Sequence, residues 1–373
     1  MIRALLKRGY IATRRLALLP LRAVVKQVIP ETAGLKNILF LRHDGIGDMV
    51  LSTPVFRALK EGIPHAVLTV LAGPGNRDVL SGNPFVDEVM LYEPGLSGTV
   101  KMLRELRRRS FDIVIDPFLT YKLHTAFLAL LSGAGCRLGF AIAGREVFFN
   151  LRCPEADDRR SISEQTLDMA RALGLNPRDS MPRLYVSTRE REAAWESLKA
   201  KGAAKGDILV GIHPGGRYES QRWPAGRFAM VADYIMSVYN ARVVLFGAEG
   251  DREAVQFIRK VMSNTPLLMD GVGLRSFIAA LSCCRLLICN NSGPLHIASA
   301  LGIPSVSTMG PTVPWLWWPR GEGHIVIRKD LPCSPCSLAV CASHRCMKLI
   351  TVEEVIHAAG TQLDRINLDI NAA

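Results

Sequence analysis

From Lys36 the chain alternates two textures. Short apolar, β-rich runs predict strands at Asn37–Leu41, Ala66–Leu71, Glu88–Tyr92, Phe111–Ile115 and Arg137–Phe140 in a first half. A second half repeats them at Ile208–His213, Arg242–Phe246, Pro266–Met269, Arg285–Cys289, Ser305–Met309 and Ile325–Arg328. Between these runs, apolar positions recurring with helical period predict helices near Met49–Glu61, Val100–Arg108, Leu123–Leu131 and Ser163–Leu173, then near Ala225–Ser237, Asp251–Met262, Leu274–Ser282 and Leu295–Ala300. Strands alternating with helices in this way describe parallel sheets covered on both faces. The expected fold class is α/β, with two Rossmann-like doubly wound domains facing an interdomain cleft. In such sheets a ligand lies beyond the carboxyl ends of the strands.

The pattern also places the boundaries. Residues 1–35 read as a basic amphipathic arm, 36–178 as the first domain, 179–206 as a linker region around Pro182 and the polar helix Arg189–Lys201, and 207–350 as the second domain. Residues 351–373 hold a last helix that is expected to return to the first domain. A length of 373 residues suits two cores, and 49% apolar with 21% charged residues excludes extensive disorder.

Charge changes the picture at one end only. The net charge is +12, and the first 36 residues carry eight basic side chains against Glu31 alone. No apolar run in the arm reaches the ~18 residues of a membrane span, and Arg22 interrupts the best candidate. Pro20 and Arg22 also break any secretory signal, so the expected location is cytoplasmic, with the arm either lying on the inner face of the membrane or packing as an ordinary helix. In that compartment the nine cysteines are expected as free thiols or metal ligands rather than disulfides.

Four segments offer chemistry. Leu41-Arg42-His43-Asp44-Gly45-Ile46-Gly47-Asp48 joins a strand to a helix. Gly45 and Gly47 allow a tight turn with close approach of another molecule, and Asp48 falls where helix-start amides stabilise a carboxylate. Local pattern leaves two roles open for Asp48, helix cap or catalyst. A dinucleotide fingerprint is disfavoured because Val50 occupies its third glycine position. Gly211-Ile212-His213-Pro214-Gly215-Gly216-Arg217 and Gln221-Arg222-Trp223-Pro224 set Arg217 and Arg222 beside a flexible turn, where their planar guanidinium forks suit phosphate oxygens. Cys289-Asn290-Asn291-Ser292-Gly293-Pro294-Leu295-His296 ends a strand, opens a helix and is the strongest anion-site signal, with Ser292, Gly293 and His296 as candidates, although Ser292 or Asn291 as a cap and His296 as a core residue are the commoner fates. Phe246-Gly247-Ala248-Glu249-Gly250-Asp251 puts an acid where a ribose hydroxyl would lie, or where it merely serves a helix dipole.

Taken in order, these segments resemble glycosyltransferase family nine, the family of the lipopolysaccharide core heptosyltransferases. The likeness runs from about Asn37 to Ala359 and adds Gly82-Asn83-Pro84-Phe85-Val86-Asp87-Glu88 and Met309-Gly310-Pro311-Thr312. It implies the GT-B architecture and an inverting, metal-independent transfer, for which no cofactor is required. By that likeness Asp48 is the catalytic base, Ser292, Gly293 and His296 hold the donor phosphates with Arg222 or Arg217, and an acid among Glu249, Asp251 and Glu253 meets the donor ribose. The implied partners are a nucleotide-sugar, ADP-heptose foremost, and a lipid-anchored saccharide acceptor. Gln221, where a lysine is common, and Asn291, where aspartate is usual, depart from the family pattern and leave the donor open.

The segment Cys333, Cys336, Cys341 and Cys346, with His344, also resembles one found in family members. Four thiols so close together suit a structural zinc ion or, equally, a thiol-packed loop. Two other classes compete with transfer: a sugar-nucleotide epimerase on the same paired domains, and a basic protein that binds membrane or nucleic acid. Nucleic acid is disfavoured because the basic stretches lack interleaved aromatic residues.

Overall fold

The computed structural model describes residues 9–18, 20, 25–153, 157 and 159–372. The chain divides into two units, Met1–Ser180 and Met181–Ala373.

The first unit runs β1 (Asn37–Arg42), α1 (Ile46–Leu51), α2 (Thr53–Gly62), β2 (Val67–Ala72), β3 (Glu88–Leu91), α3 (Leu96–Arg109), β4 (Ile113–Asp116), α4 (His124–Leu131), β5 (Cys136–Phe140), β6 (Leu151–Cys153) and α5 (Ile162–Ala172). Its sheet has the order β3-β2-β1-β4-β5-β6, and every pairing is parallel. The order reverses between β1 and β4, so the doubly wound rule places the ligand site beyond their carboxyl ends.

The second unit runs α6 (Thr188–Ala200), β7 (Leu209–His213), α7 (Ala225–Tyr239), β8 (Arg242–Gly247), α8 (Arg252–Val261), β9 (Leu267–Asp270), α9 (Leu274–Leu281), β10 (Leu286–Asn290), α10 (Gly293–Leu301), β11 (Ser305–Met309), α11 (Pro314–Trp317), β12 (His324–Arg328), α12 (Arg345–Lys348) and α13 (Val352–Ala372). Its sheet, β12-β11-β10-β7-β8-β9, is also wholly parallel and repeats the first topology, with its switch point between β7 and β10. β7, β10 and β11 are buried throughout, as strands covered on both faces must be.

Three expectations need correction. The segment expected as a linker holds α6, which carries a Ser187/Glu190 capping box and is tied to α9 by an Arg275–Glu190 ion pair, so it belongs to the second unit. The last helix does not return to the first domain: Val355, Ala359 and Leu363 of α13 lie in the second unit's apolar core, alongside Phe228 and Ile235 of α7. The described part of the arm follows one of its two expected courses and packs as a helix on the first unit. Residues 9–18 are helical, Leu18 packs against the first unit's core, and Arg14 is buried, donating to the Tyr121 and Ala143 carbonyls. Its residues 1–8, 19 and 21–24 lie outside the described ones.

The single helix expected over Met49–Glu61 is two. Pro54 has no N–H to give the Val50 carbonyl, and the Thr53 hydroxyl takes that acceptor instead at 2.8 Å, while Ser52 Oγ donates to the Asp48 carbonyl at 2.8 Å.

Candidate functional site

The end of β1 builds the first half of the chemistry. Arg42, its last residue, is 2% exposed, and its guanidinium lies 3.1 Å from an Asp44 carboxylate oxygen and 3.9 Å from Asp48 Oδ1. The same guanidinium donates to the Pro117 carbonyl and sits over the Phe118 ring at 5.2 Å. A buried, always-charged arginine beside two half-buried aspartates holds their carboxylates in place.

Asp48 is not the helix cap. Gly45 occupies that position, and Asp48 stands in the first turn of α1, 18% of its side chain exposed. The helix dipole there favours the carboxylate. Gly45 has φ −93°, which any residue adopts, and Gly47 lies inside α1, so the turn does not need glycine for its dihedrals. Asn76, which the sequence reading did not single out, supports the turn instead: it donates to the Arg42 and Gly45 carbonyls at 3.1 and 3.4 Å and accepts from Gly73 N.

Beside this turn His43 stacks on Tyr92 at 4.1 Å and meets Phe118 and His124 at 5.2 and 5.6 Å. Burial, reinforced by His124, lowers its pKa to about 4. Behind it Asp116, at the end of β4, pairs with Arg145, and both are wholly buried. Motif Gly82–Glu88 proves structural: Asp87 accepts from Leu68 N at the start of β2 and binds Lys60.

In the second unit β10 ends on Asn290, a fully buried hub that lies within the anion-site segment but to which the sequence pattern assigns no role. Its Oδ1 accepts from Trp223 N and Thr308 Oγ1, and its Nδ2 donates to the Pro214 and Gly215 carbonyls, fastening two loops and the neighbouring strand β11 to one strand end. Next to it α10 opens with Ser292 as cap residue and Gly293 as first helical residue. Amides at that start have no acceptor within the helix, and Pro294 removes one of them outright. The Ser292 side chain makes no cap bond, its hydroxyl lying 3.4 Å from the Asn290 carbonyl.

His296 is 2% exposed, 5.9 Å from the Trp317 ring, with Nδ1 unpartnered. Burial and His324 lower its pKa to about 4, so it is a neutral hydrogen-bonding group rather than a cation for phosphate.

Arg222 and Asp251 are already engaged with each other. Arg222 Nε donates to the Gly216 carbonyl at 3.0 Å and its Nη2 lies 3.3 Å from Asp251 Oδ1, while Asp251 also accepts from Ala248 N. A side chain at Gly215 would strike the Asp251 carboxylate at 2.2 Å, which is why only glycine fits there. His213 lies 3.8 Å from the same carboxylate, and burial lowers its pKa. Asp251 is therefore buried in the loop's own network, while Glu249, just beyond β8, and Glu253, in the first turn of α8, are both exposed. Arg217 is exposed, its guanidinium over the Tyr218 ring.

Cys333 and Cys336 are exposed, Cys341 is half-buried and Cys346 buried, all as free thiols. Among the described residues no three His, Cys, Asp or Glu side chains gather closely enough to hold a metal ion. No described helix is long and apolar enough to cross a membrane.

Burial lowers the pKa values of His43 and His296, and of His124, His213 and His324 with them, which sets a pH dependence. Between the ordinary value of 6.5 and about 4 the unfolded chain binds protons that the folded chain refuses, so stability rises with pH across that window and falls as acid is added. Thermal unfolding followed from neutral pH to about pH 5 should show this loss, and replacing His43 and His296 by glutamine should lessen it.

Comparison with known proteins agrees with the geometry. The model of glycosyltransferase family 9 (heptosyltransferase) matches residues 99–346. Lipooligosaccharide heptosyltransferase 2 of Haemophilus ducreyi is 26% identical over 313 residues, covering 78% of this chain and 88% of that protein. Lipopolysaccharide heptosyltransferase 2 of Escherichia coli K12 is 24% identical over 311 residues, covering 78% and 88%. Among solved structures, the family 9 glycosyltransferase of Veillonella parvula superposes with a TM-score of 0.77 at 27% identity, covering 90% of this chain and 99% of that one. The E. coli ADP-heptose heptosyltransferase II gives 0.73 at 23% identity, covering 89% and 99%. With two wholly parallel six-stranded sheets of one topology, an aspartate at the first switch point and a helix start at the second, this chain is a GT-B enzyme belonging to glycosyltransferase family 9.

Proposed function

We propose that the chain transfers a heptose or related sugar from a nucleotide donor, ADP-heptose foremost, to a lipid-linked core saccharide, with inversion and without a catalytic metal. Asp48 carries the reading. Set in the first turn of α1 and flanked by the Arg42 guanidinium, it is a partly exposed carboxyl group suited to take the proton from an acceptor hydroxyl as that oxygen attacks the anomeric carbon. The sugar's bond to the diphosphate breaks as the new bond forms. The departing diphosphate suits the α10 start, whose amides from Ser292 and Gly293 and whose helix dipole neutralise anionic charge, with the exposed Arg217 adding a cation while Arg222 stays paired with Asp251. Glu249, exposed just beyond β8, and Glu253, exposed in the first turn of α8, are the acids that suit the donor ribose. The names of the relatives support heptose, and the arm supports work at the inner membrane surface.

The test is reconstitution with purified protein, ADP-heptose and a heptose-deficient core acceptor, with and without EDTA. Product of inverted configuration that forms equally in EDTA is expected, and EDTA-sensitive transfer would remove the metal-independent mechanism. A donor screen by thermal shift separates nucleotides: ADP at about a hundredfold over its Kd should stabilise the fold by ~2.7 kcal/mol, and UDP or GDP much less. Conversion of the donor without acceptor would instead indicate an epimerase.

A further inference from the structure

The arm and α4 share one side of the first unit. At one end Arg14 donates to the carbonyl of Tyr121, three residues before α4 begins. At the other, Val28 N donates to the Asn150 carbonyl, and Val28 and Pro30 line an open pocket of about 440 Å³ with Ser132 and Gly133, which follow the last residue of α4. The arm is therefore bracketed against both ends of this helix.

The side so formed is apolar where a monomer in water would be polar. Tyr10 and Leu16 of the arm, Tyr121, and Phe127, Leu130 and Leu131 of α4 are exposed, Leu16 to 67% and Phe127 to 44%. α4 is apolar almost all round, the pattern of a helix with a partner on each face.

Charge says which partner. Residues 1–30 carry Arg3, Lys7, Arg8, Arg14, Arg15, Arg22 and Lys26 and no acid, and residues 117–145 carry Lys122, Arg137 and Arg145 and no acid. Arg14 and Arg145 are spent on buried contacts, but Arg15, Lys26, Lys122 and Arg107 are exposed beside the apolar positions. Exposed aromatic and aliphatic groups fringed by cations, with no carboxylate in either segment, match the headgroup zone of an anionic bilayer.

We propose that the arm and α4 together form the face by which this protein seats on an anionic lipid surface. The arm is then half of a rigid platform rather than a loose tether, and Arg14 is its rivet rather than a lipid contact. The face adjoins the Phe118–Lys122 segment whose Phe118 packs on His43, so a saccharide rooted in the bilayer is presented beside the Asp48 turn. This deepens the lipid-linked acceptor reading and rests on it for its purpose. Seating is measured without donor or acceptor, so the two readings fail separately.

The experiment is co-sedimentation of the full chain with vesicles of phosphatidylethanolamine and phosphatidylglycerol, against vesicles of phosphatidylcholine alone. Binding to the anionic vesicles should be at least about tenfold stronger and should weaken with added salt. Leu130→Glu with Leu131→Glu should abolish it, Lys122→Glu should weaken it, and both variants should melt with the parent chain. A Leu16→Glu variant, altered on the arm alone, should also lose most binding, which separates a joint face from either helix acting singly. Equal binding to both vesicle types, or Leu130/Leu131 variants that sediment like the parent, would overturn the proposal. So would a concentration-dependent dimer that those variants dissociate, because the face would then belong to a second copy.

Discussion

Asp48→Asn is expected to lower sugar transfer by about 10²–10⁴-fold, the range typical of losing a positioned general base, while leaving donor binding within a factor of about two. Asparagine keeps the size and the hydrogen-bonding oxygen but cannot accept the acceptor's proton. It also removes the negative charge opposite Arg42 Nη1, 3.9 Å away. Arg42 is held independently by Asp44 and by the Pro117 carbonyl, so the turn should keep its shape. The measurements are initial rates with saturating donor, and donor affinity by thermal shift. A variant that transfers at the parent rate would show that Asp48 is a first-turn acid serving the helix dipole and no more, and the proton acceptor would have to be sought elsewhere, Asp44 first. Loss of donor binding together with rate would point to a folding defect instead.

The chain's texture foretold the sheets closely because parallel strands buried on both faces must be apolar along their length. Eleven of the twelve strands among the described residues are legible, the central ones for that reason and the exposed edge strand β3 and half-buried β12 by their β-branched and apolar runs, and the exception, β6, spans only Leu151–Cys153, too short to show a pattern. Register within the helices was less legible. The break between α1 and α2 depends on a hydroxyl of Thr53 replacing, three residues back, the hydrogen bond that Pro54 cannot make; helical spacing does not carry it, but Pro54 itself is the signal that the helix starts late, near Thr53.

Site residues divide along the same line. Asp48, Ser292 and Gly293 stand where a strand-turn-helix pattern puts them. Asn76 and Asn290 carry no sign of their role in the sequence because they bond carbonyls distant along the chain, and Arg42, which meets Asp44 and Asp48 within its own segment, is fixed there by the distant Pro117 carbonyl. Arg42 had one signal, since a charged residue closing an otherwise apolar strand needs a partner when buried. Asp251 and Arg222 show the converse: residue types suited to a ligand can be consumed by each other, and only the Gly215 approach reveals it.

Asp116→Ala is expected to destabilise the first unit by about 3–5 kcal/mol, the cost of leaving a buried charge without its partner. Asp116 and Arg145 are both fully buried, and among the described residues Asp116 is the ion-pair partner of Arg145, whose other bonded donors go to the Phe118 and Thr120 carbonyls and to Thr125 Oγ1. Those neutral acceptors satisfy N–H groups but do not neutralise the guanidinium. Denaturant unfolding, read by a probe in the first unit, should show the midpoint fall with little change in slope. Replacing both residues, Asp116→Leu with Arg145→Met, should recover much of the loss by removing the stranded charge, though not all, because the Phe118 and Thr120 carbonyls then lose their donor. The functional consequence separates this pair from an ordinary core contact. Arg145 fixes the 118–125 segment, and Phe118 in that segment packs on both Arg42 and His43. In the double variant, at a temperature where it is fully folded, transfer should therefore remain below the parent rate with donor affinity unchanged. Full recovery of rate alongside stability would mean that the segment needs no arginine to hold Arg42 and Asp48 in line.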